Sequence, residues 1–286
     1  MPDLAAYQTQ SPPPRILAAK TPATRHFPVL FLSDLHLGSR ACKDDALLGF
    51  LQTHTADLIY LVGDIIDTWT TTAAQWTAAQ HAIVQLLLDR AQNGVRLVYT
   101  PGNHDALFRS YCGQRVANIE IVPHIIHHAA DGMRYLVIHG DSCDVFEARF
   151  PRLAHVGARA EGLFRGLGDR VNALRRRFGH AEWQVVERVM KVANDLIRGL
   201  DDFEKRLVDL ALAHGVDGII CGHFHKPALH SEHGLAYANC GDWVENSTAL
   251  AETTSGRLLL LDGAGRKQDN KATLPRLRIG ATARGV

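Results

Sequence analysis

None of the five cysteines, Cys42, Cys112, Cys143, Cys221 and Cys240, stands in a C-x-x-C pair, and their odd number argues against a disulfide framework. A reducing compartment fits best, so the cytoplasm is the expected location. No apolar run reaches the roughly 18 residues of a membrane-spanning helix, and a soluble or surface-associated chain is expected. Net charge is nearly absent as well: 31 Lys and Arg against 30 Asp and Glu leave +1 at pH 7. That balance gives no global attraction for a polyanion, and nucleic acid is not expected as a partner. The start of the chain carries Ser11-Pro12-Pro13-Pro14-Arg15 but no apolar core of signal-peptide length, so residues 1–28 are expected to be a mobile leader. No internal repeat is evident.

Histidine, by contrast, is abundant: 16 in 286 residues, of which 46% are hydrophobic. A chain of this length and composition can bury one substantial core, and one main domain with an insertion is expected. Neutral imidazole is the commonest transition-metal ligand, so histidines in motifs are candidates for metal binding.

Val29 to Leu32 is a short apolar strand signal that runs into Ser33-Asp34-Leu35-His36-Leu37-Gly38. Helical spacing over 43–54 is followed by a second strand at 57–62, which delivers Gly63-Asp64-Ile65-Ile66-Asp67. A helix over 74–92, closed by Asn93-Gly94, precedes a third strand ending in Pro101-Gly102-Asn103-His104-Asp105. Strand, helix and polar loop thus alternate, and ligands in open α/β sheets lie outside the carboxyl ends of strands. After 118 the pattern changes to short strands, with Met133 to Ile138 feeding His139-Gly140-Asp141, as on entry into a second sheet. Strand signals return at Gly218 to Cys221, before Gly222-His223-Phe224-His225, and continue to Leu261. The expected domain is therefore 29–143 with 215–262, interrupted by a helical cap over 144–214 and followed by a polar tail, 263–286.

A lone His or Asp at a strand end is more often a turn residue than a ligand. Five linked clusters reverse that: Asp-x-His, Gly-Asp, Gly-Asn-His-Asp, His-Gly-Asp and Gly-His-x-His, each after an apolar run. In this order, over roughly 29–262, they resemble the calcineurin-like metallophosphoesterase superfamily. The resemblance implies two mixed β-sheets packed as a sandwich and flanked by helices, an α/β fold, with two divalent ions at the strand ends. It places Asp34, His36 and His225 on one ion, Asn103, His139 and His223 on the other, and Asp64 between them. It gives His104 a catalytic place over the substrate phosphate, while Asp67 and Asp105 would orient ligands from behind. Two ions about 3.5–4 Å apart can clamp a phosphoryl group and lower the pKa of water. Ligation by imidazole, carboxylate and amide suits Mn, Fe or Zn better than Ca without choosing among them, and the resemblance puts Mn first.

Within one strand, residues two apart share a face, so Asp34 with His36 and His223 with His225 are expected to line up by strand alternation. The glycines before Asp64, Asn103 and His223 are expected to let the backbone turn tightly behind each ligand. Cys143 and Cys221 lie beside motifs yet read as buried structural thiols.

In the cap, arginines that include Arg149, Arg152 and Arg159 alternate with apolar residues, as in a basic amphipathic surface helix that could meet anionic headgroups or a substrate phosphate. The insertion after His139 and the later Gly241-Asp242-Trp243-Val244-Glu245 resemble the UDP-2,3-diacylglucosamine diphosphatase family of lipid A synthesis. That family cleaves the pyrophosphate of a lipid-linked nucleotide to UMP and a lipid sugar phosphate. The resemblance implies a nucleotide or lipid-nucleotide substrate and peripheral contact with the inner membrane. One position departs: well-known members have Arg after the metal-binding Asn, where this chain has His104. A sister group acting on another nucleotide or phosphodiester stands beside the lipid reading as the alternative, and a nucleic-acid-processing protein using the basic cap is a weaker one.

Overall fold

A computed structural model describes residues 24–69, 76–144, 177, 203–231 and 234–268. Strand β1 (Arg25–Leu32) is central to the first sheet, and its side chains alternate with the period of a strand. Leu30 and Leu32 face one core with helices α1 (Asp44–Thr53) and α2 (Ala78–Gln92), while Val29 and Phe31 face another. Strands β2 (His54–Val62) and β3 (Arg96–Thr100) repeat the split, sending Ile59, Leu61 and Leu97 outward and Tyr60, Val62 and Val98 inward. The inward set meets the second sheet. There Tyr135 and Val137 of β7 (Arg134–Val137), Ile220 of β8 (Gly218–Cys221) and Ala238 of β10 (Ala236–Asn239) complete the core.

With β4 (Arg115–Val116), β5 (Ile119–Ile121), β6 (Ile125–His128), β9 (Ala228–His230), β11 (Thr248–Glu252) and β12 (Leu258–Asp262), the first sheet is ordered β12-β11-β1-β2-β3-β5-β4 and the second β6-β7-β8-β10-β9. β1, β2 and β3 are parallel, as are β7, β8 and β10, so two groups of strand C-termini open onto the same end of the sandwich. The expected two-sheet α/β architecture is present. Helix α2 starts behind Thr77, whose hydroxyl accepts from the Gln80 N–H at 3.1 Å, and stops at Asn93 with Gly94 at φ +96°. The buried Gln80 side chain accepts from the Gly38 N–H and donates to the Ser39 carbonyl, pinning α2 to the loop after His36.

Several boundaries differ from those expected. β1 begins at Arg25 and pairs with β2 from His54 onward, so residues 25–28 belong to the sheet and not to a leader. β5 is still in the first sheet, and the second begins at β6. Helix α3 (Phe203–Ala213) lies in the stretch assigned to the cap, but Phe203, Leu207, Val208 and Ala211 are buried against Leu136, Ile219 and Tyr237 of the second sheet. Its apolar spacing is that of a core-facing helix, which sequence alone does not separate from a cap helix. Past Asp262 the chain turns back, with the Gln268 N–H donating to the Leu260 carbonyl, so the first residues of the tail are tied to β12. Among the described residues no helix is long and apolar enough to cross a membrane.

Candidate metal and catalytic centre

Each expected site residue lies just past a strand. Asp34 and His36 follow β1, Asp64 follows β2, Asn103 follows β3, His139 follows β7, and His223 and His225 follow β8. Strand alternation does not align them, because all seven lie beyond the strand ends. The backbone does it instead: Asp34, His36, Asp64, His223 and His225 adopt left-handed φ of 52°, 47°, 53°, 72° and 51°. Each such residue costs on the order of 1 kcal/mol, a strain that clusters at functional sites. Loop hydrogen bonds hold it, among them Asp34 N–H to the Gly63 carbonyl and His36 N–H to the Asp64 carbonyl.

The glycines serve in two ways. Gly63 has φ +75°, a turn that an L side chain rarely adopts. Gly102 and Gly222 do not have positive φ, and their role is space rather than turning. A Cβ on Gly102 would lie 2.2 Å from Asp64 Oδ1, and one on Gly222 would lie 1.8 Å from Ser33 Oγ and 2.4 Å from Asp34 Oδ2.

Ligand atoms of Asp34, His36 and His225 lie within 4.8 Å of one another, and so do those of Asp64, His139 and His223; a third group joins His36, Asp64 and His104. Asn103 adds its Oδ1, 3.1 Å from His139 Nε2. The contacts between these groups are those of a set that needs positive charge. His139 Nδ1 is 3.0 Å from the Val62 carbonyl, which only accepts, so Nδ1 carries the proton. Nε2 then turns toward two oxygens, Asn103 Oδ1 and Asp64 Oδ2, the latter at 3.4 Å. Elsewhere His36 Nε2 and His225 Nε2 face each other at 3.2 Å, with fully buried Asp34 Oδ1 3.2 Å from the second and making no hydrogen bond. Acceptors aimed at acceptors in a buried place are costly unless a proton or a cation lies among them. The donor set therefore fits divalent metal ions.

Electrostatics says the same. Burial alone would lower the His139 pKa, yet Asp64, then Asp34 and Asp141, hold it well above the ordinary imidazole value. Burial would lift Asp64, but His139, His104 and His36 bring it well below the usual carboxylate range. Asp67 is likewise depressed, against its burial, by His104 and His36. Its Oδ1 lies 3.4 Å from His104 Nδ1, and its Oδ2 lies 3.9 Å from His36 Nδ1. The His104 ring stacks on Trp69 at 3.9 Å, and its backbone N–H donates to Asp64 Oδ1 at 2.8 Å. Asp105 accepts from the Gly102 and Ile65 N–H groups at 2.6 and 2.7 Å, tying the two turns that bear Asn103 and Asp64.

Two further carboxylates reach the centre without a sequence signal for that role. Asp144 Oδ2 is 2.9 Å from His223 Nε2, and buried Asp242 lies 4.0 Å from His225 Nδ1 while accepting from the Val244 N–H at 2.7 Å. Both stand inside runs notable for other reasons, but no spacing rule marks them. Cys221 has burial pushing its thiol up to about 12, as an inert core thiol should. Arg149, Arg152 and Arg159 lie outside the described residues.

Residues 27–227 match the calcineurin-like phosphoesterase family. The chain belongs to that family. Calcineurin-like phosphoesterases use divalent metal ions, and the chain is accordingly a hydrolase. A protein of Xanthomonas campestris pv. campestris named UDP-2,3-diacylglucosamine hydrolase is 28% identical over 244 residues, covering 80% of this chain and 97% of its own. One of the same name from Stenotrophomonas maltophilia strain K279a is 30% identical over 239 residues, covering 79% and 95%. Among solved structures, a Vps29 mutant from Entamoeba histolytica aligns over 84% of this chain and 96% of that chain, at 13% identity and TM-score 0.42.

Proposed function

We propose that this phosphoesterase cleaves the pyrophosphate of UDP-2,3-diacylglucosamine, giving UMP and a lipid sugar phosphate. The observation that carries the lipid reading is a cavity of about 390 Å³ whose wall is apolar. Leu37 comes directly after His36, Ile65 and Ile66 directly after Asp64, and Leu107, Phe108 and Tyr111 follow Asp105. Most of the rest of its wall is Leu61, Tyr99, Ile119 and Ile121 on the outer face of the first sheet and Val84, Leu87 and Leu88 of α2. The cavity thus lies beside the polar centre and shares only those loops with it, an arrangement that suits a substrate with a charged head and an apolar tail. The names of the relatives support the same head and tail. The acyl chains of such a substrate would keep it in a membrane, from whose surface this phosphoesterase would load it.

In this reading Asp34, His36 and His225 would hold one ion, Asn103, His139 and His223 a second, and Asp64 would serve both. Divalent ions bound there, with Mn put first and Fe or Zn as alternatives, would supply polarisation of the phosphoryl oxygens and a more acidic water. His104, with Nδ1 toward Asp67 and its ring on Trp69, is oriented to deliver a proton from Nε2 to the leaving oxygen. Asp67 stabilises the charge that His104 carries meanwhile. Asp105 keeps the Asn103 and Asp64 turns in register.

One residue favours a second reading. His104, where the lipid A enzymes have Arg, fits a sister group acting on another nucleotide diphosphate or phosphodiester. Hydrolysis of UDP-2,3-diacylglucosamine by the Mn-loaded chain, measured as UMP release beside UDP-glucose, a cyclic nucleotide and an aryl phosphodiester, separates the two. Turnover of the lipid substrate alone is expected; turnover of only the water-soluble ones overturns the lipid reading and leaves the hydrolase.

A further inference from the structure

The loop that follows β7 reaches the centre twice. It supplies His139 first, then after the short 3-10 turn Asp141–Cys143 it brings Asp144 behind His223. Asp144 is buried, 9% exposed, and its carboxylate is 2.9 Å from His223 Nε2. It is not among the side chains whose ligand atoms converge within 4.8 Å. The loop is held in place: the Asp144 N–H donates to the Asp141 carbonyl at 2.9 Å, and Arg206 of α3 donates to the Cys143 carbonyl at 2.8 Å. The ring it grips is also confined, with Phe224 stacked at 5.2 Å and the backbone N–H of His223 donating to Asp34 Oδ2 at 3.0 Å.

A carboxylate accepts, so the hydrogen between Asp144 and His223 belongs to Nε2. The nitrogen that His223 can offer a cation is then Nδ1. His139 is fixed the other way, with its Nδ1 hydrogen on the Val62 carbonyl and Nε2 toward Asp64. Two imidazoles of one half-site would thus offer opposite nitrogens to a cation, each set by the partner of its other nitrogen. We infer that Asp144 is a positioning residue that selects the Nδ1 ligand form of His223 and thereby sets the affinity of the second ion. This rests on the ligand set proposed above. Carboxylates behind metal-bound histidines raise ligand basicity and fix ring orientation, and their loss costs about 10–100-fold in metal affinity.

The test compares wild type, Asp144→Ala and Asp144→Asn as full-length chains titrated with Mn(II) and followed by metal analysis after dialysis. Wild type is expected to keep two ions. Asp144→Ala is expected to keep one tightly and bind the second about 10–100-fold more weakly. Asp144→Asn, whose amide oxygen still accepts from Nε2–H, should recover much of that affinity. In Co(II)-loaded protein, the paramagnetically shifted, solvent-exchangeable Nε2–H signal of His223 should be present in wild type and Asp144→Asn and lost by fast exchange in Asp144→Ala. Unchanged second-ion affinity in a folded Asp144→Ala overturns the inference while leaving the dimetal reading intact. If Asp144→Ala does not fold, absence of the exchangeable His223 signal from wild type overturns it on its own. A wild-type chain that retains fewer than two ions overturns the ligand set, and the inference with it.

Discussion

Two buried polar clusters sit in the same sandwich and have opposite character. At the candidate metal centre, imidazole and carboxylate acceptors face one another and five residues hold left-handed backbone. Between the sheets near the edge strands, Glu252 accepts from the Ala130 N–H at 2.8 Å and from His127, whose Nδ1 lies 3.3 Å from the Tyr60 hydroxyl. None of these residues has positive φ. That second cluster closes on itself: its donors and acceptors match, so it needs nothing from outside. Burial of charge and histidine is therefore not the mark of a site. Mismatch is the mark, together with strain that a folded chain would not otherwise carry.

The comparison can be broken most strongly at Asp64. Asp64→Ala should cut turnover by about three orders of magnitude or more and leave the dialysed protein short of metal, measured by single-turnover kinetics and metal analysis. Full activity would place the chemistry elsewhere. His104→Ala should keep both ions and lose about a hundredfold in kcat, since it removes a proton donor and not a ligand. Loss of metal from that variant would instead make His104 part of the ion-binding set.

A smaller effect is expected from pH. His139 and His36 hold protons more tightly than free imidazole in the metal-free chain, because neighbouring carboxylates outweigh burial. Metal must displace those protons, so ion binding releases them and apparent affinity rises with pH through and above about 6.5 until the raised values are passed. Calorimetry in two buffers of different ionisation enthalpy reads the proton count directly. A buffer-independent heat would contradict it. The smallest effect on catalysis belongs to the matched cluster: Glu252→Gln should cost about 1–3 kcal/mol of stability in urea denaturation and leave metal content and kcat unchanged.

Much of this contrast is legible in the amino-acid sequence. The order of apolar runs and polar clusters locates the seven candidate ligands and His104, though not Asp144 or Asp242, because a parallel strand must deliver its loop to one end of the sheet. What is hidden is how the residues converge. Left-handed φ at an Asp or His is a tertiary decision, and the spacing Asp34 to His36 looks the same whether the pair lies in a strand or past its end. Gly102 and Gly222 are small because Asp64 and Asp34, distant in sequence, need the room. Asp144 is hidden for the same reason: its partner, His223, is brought to it only by the pairing of β7 with β8. Helix α3 shares the amphipathic spacing of the segment before it, and only its contact with Leu136 and Ile219 assigns it to the domain.

The placement of the last strands has a consequence for how the protein comes into being. β1 is the first of the described strands to be synthesised, yet it lies between β2 and β11, and the Trp243 N–H bonds the Asp34 carbonyl. Pairings between residues over 200 positions apart are late events, since the closing of so long a loop must precede the contacts that reward it. On the ribosome, β1 to β3 and their helices can dock as soon as they emerge, but β1 keeps one edge unpaired until residue 252 is out. The nascent chain therefore carries an exposed strand edge through most of its synthesis, a window for mispairing that closes only when β11 arrives.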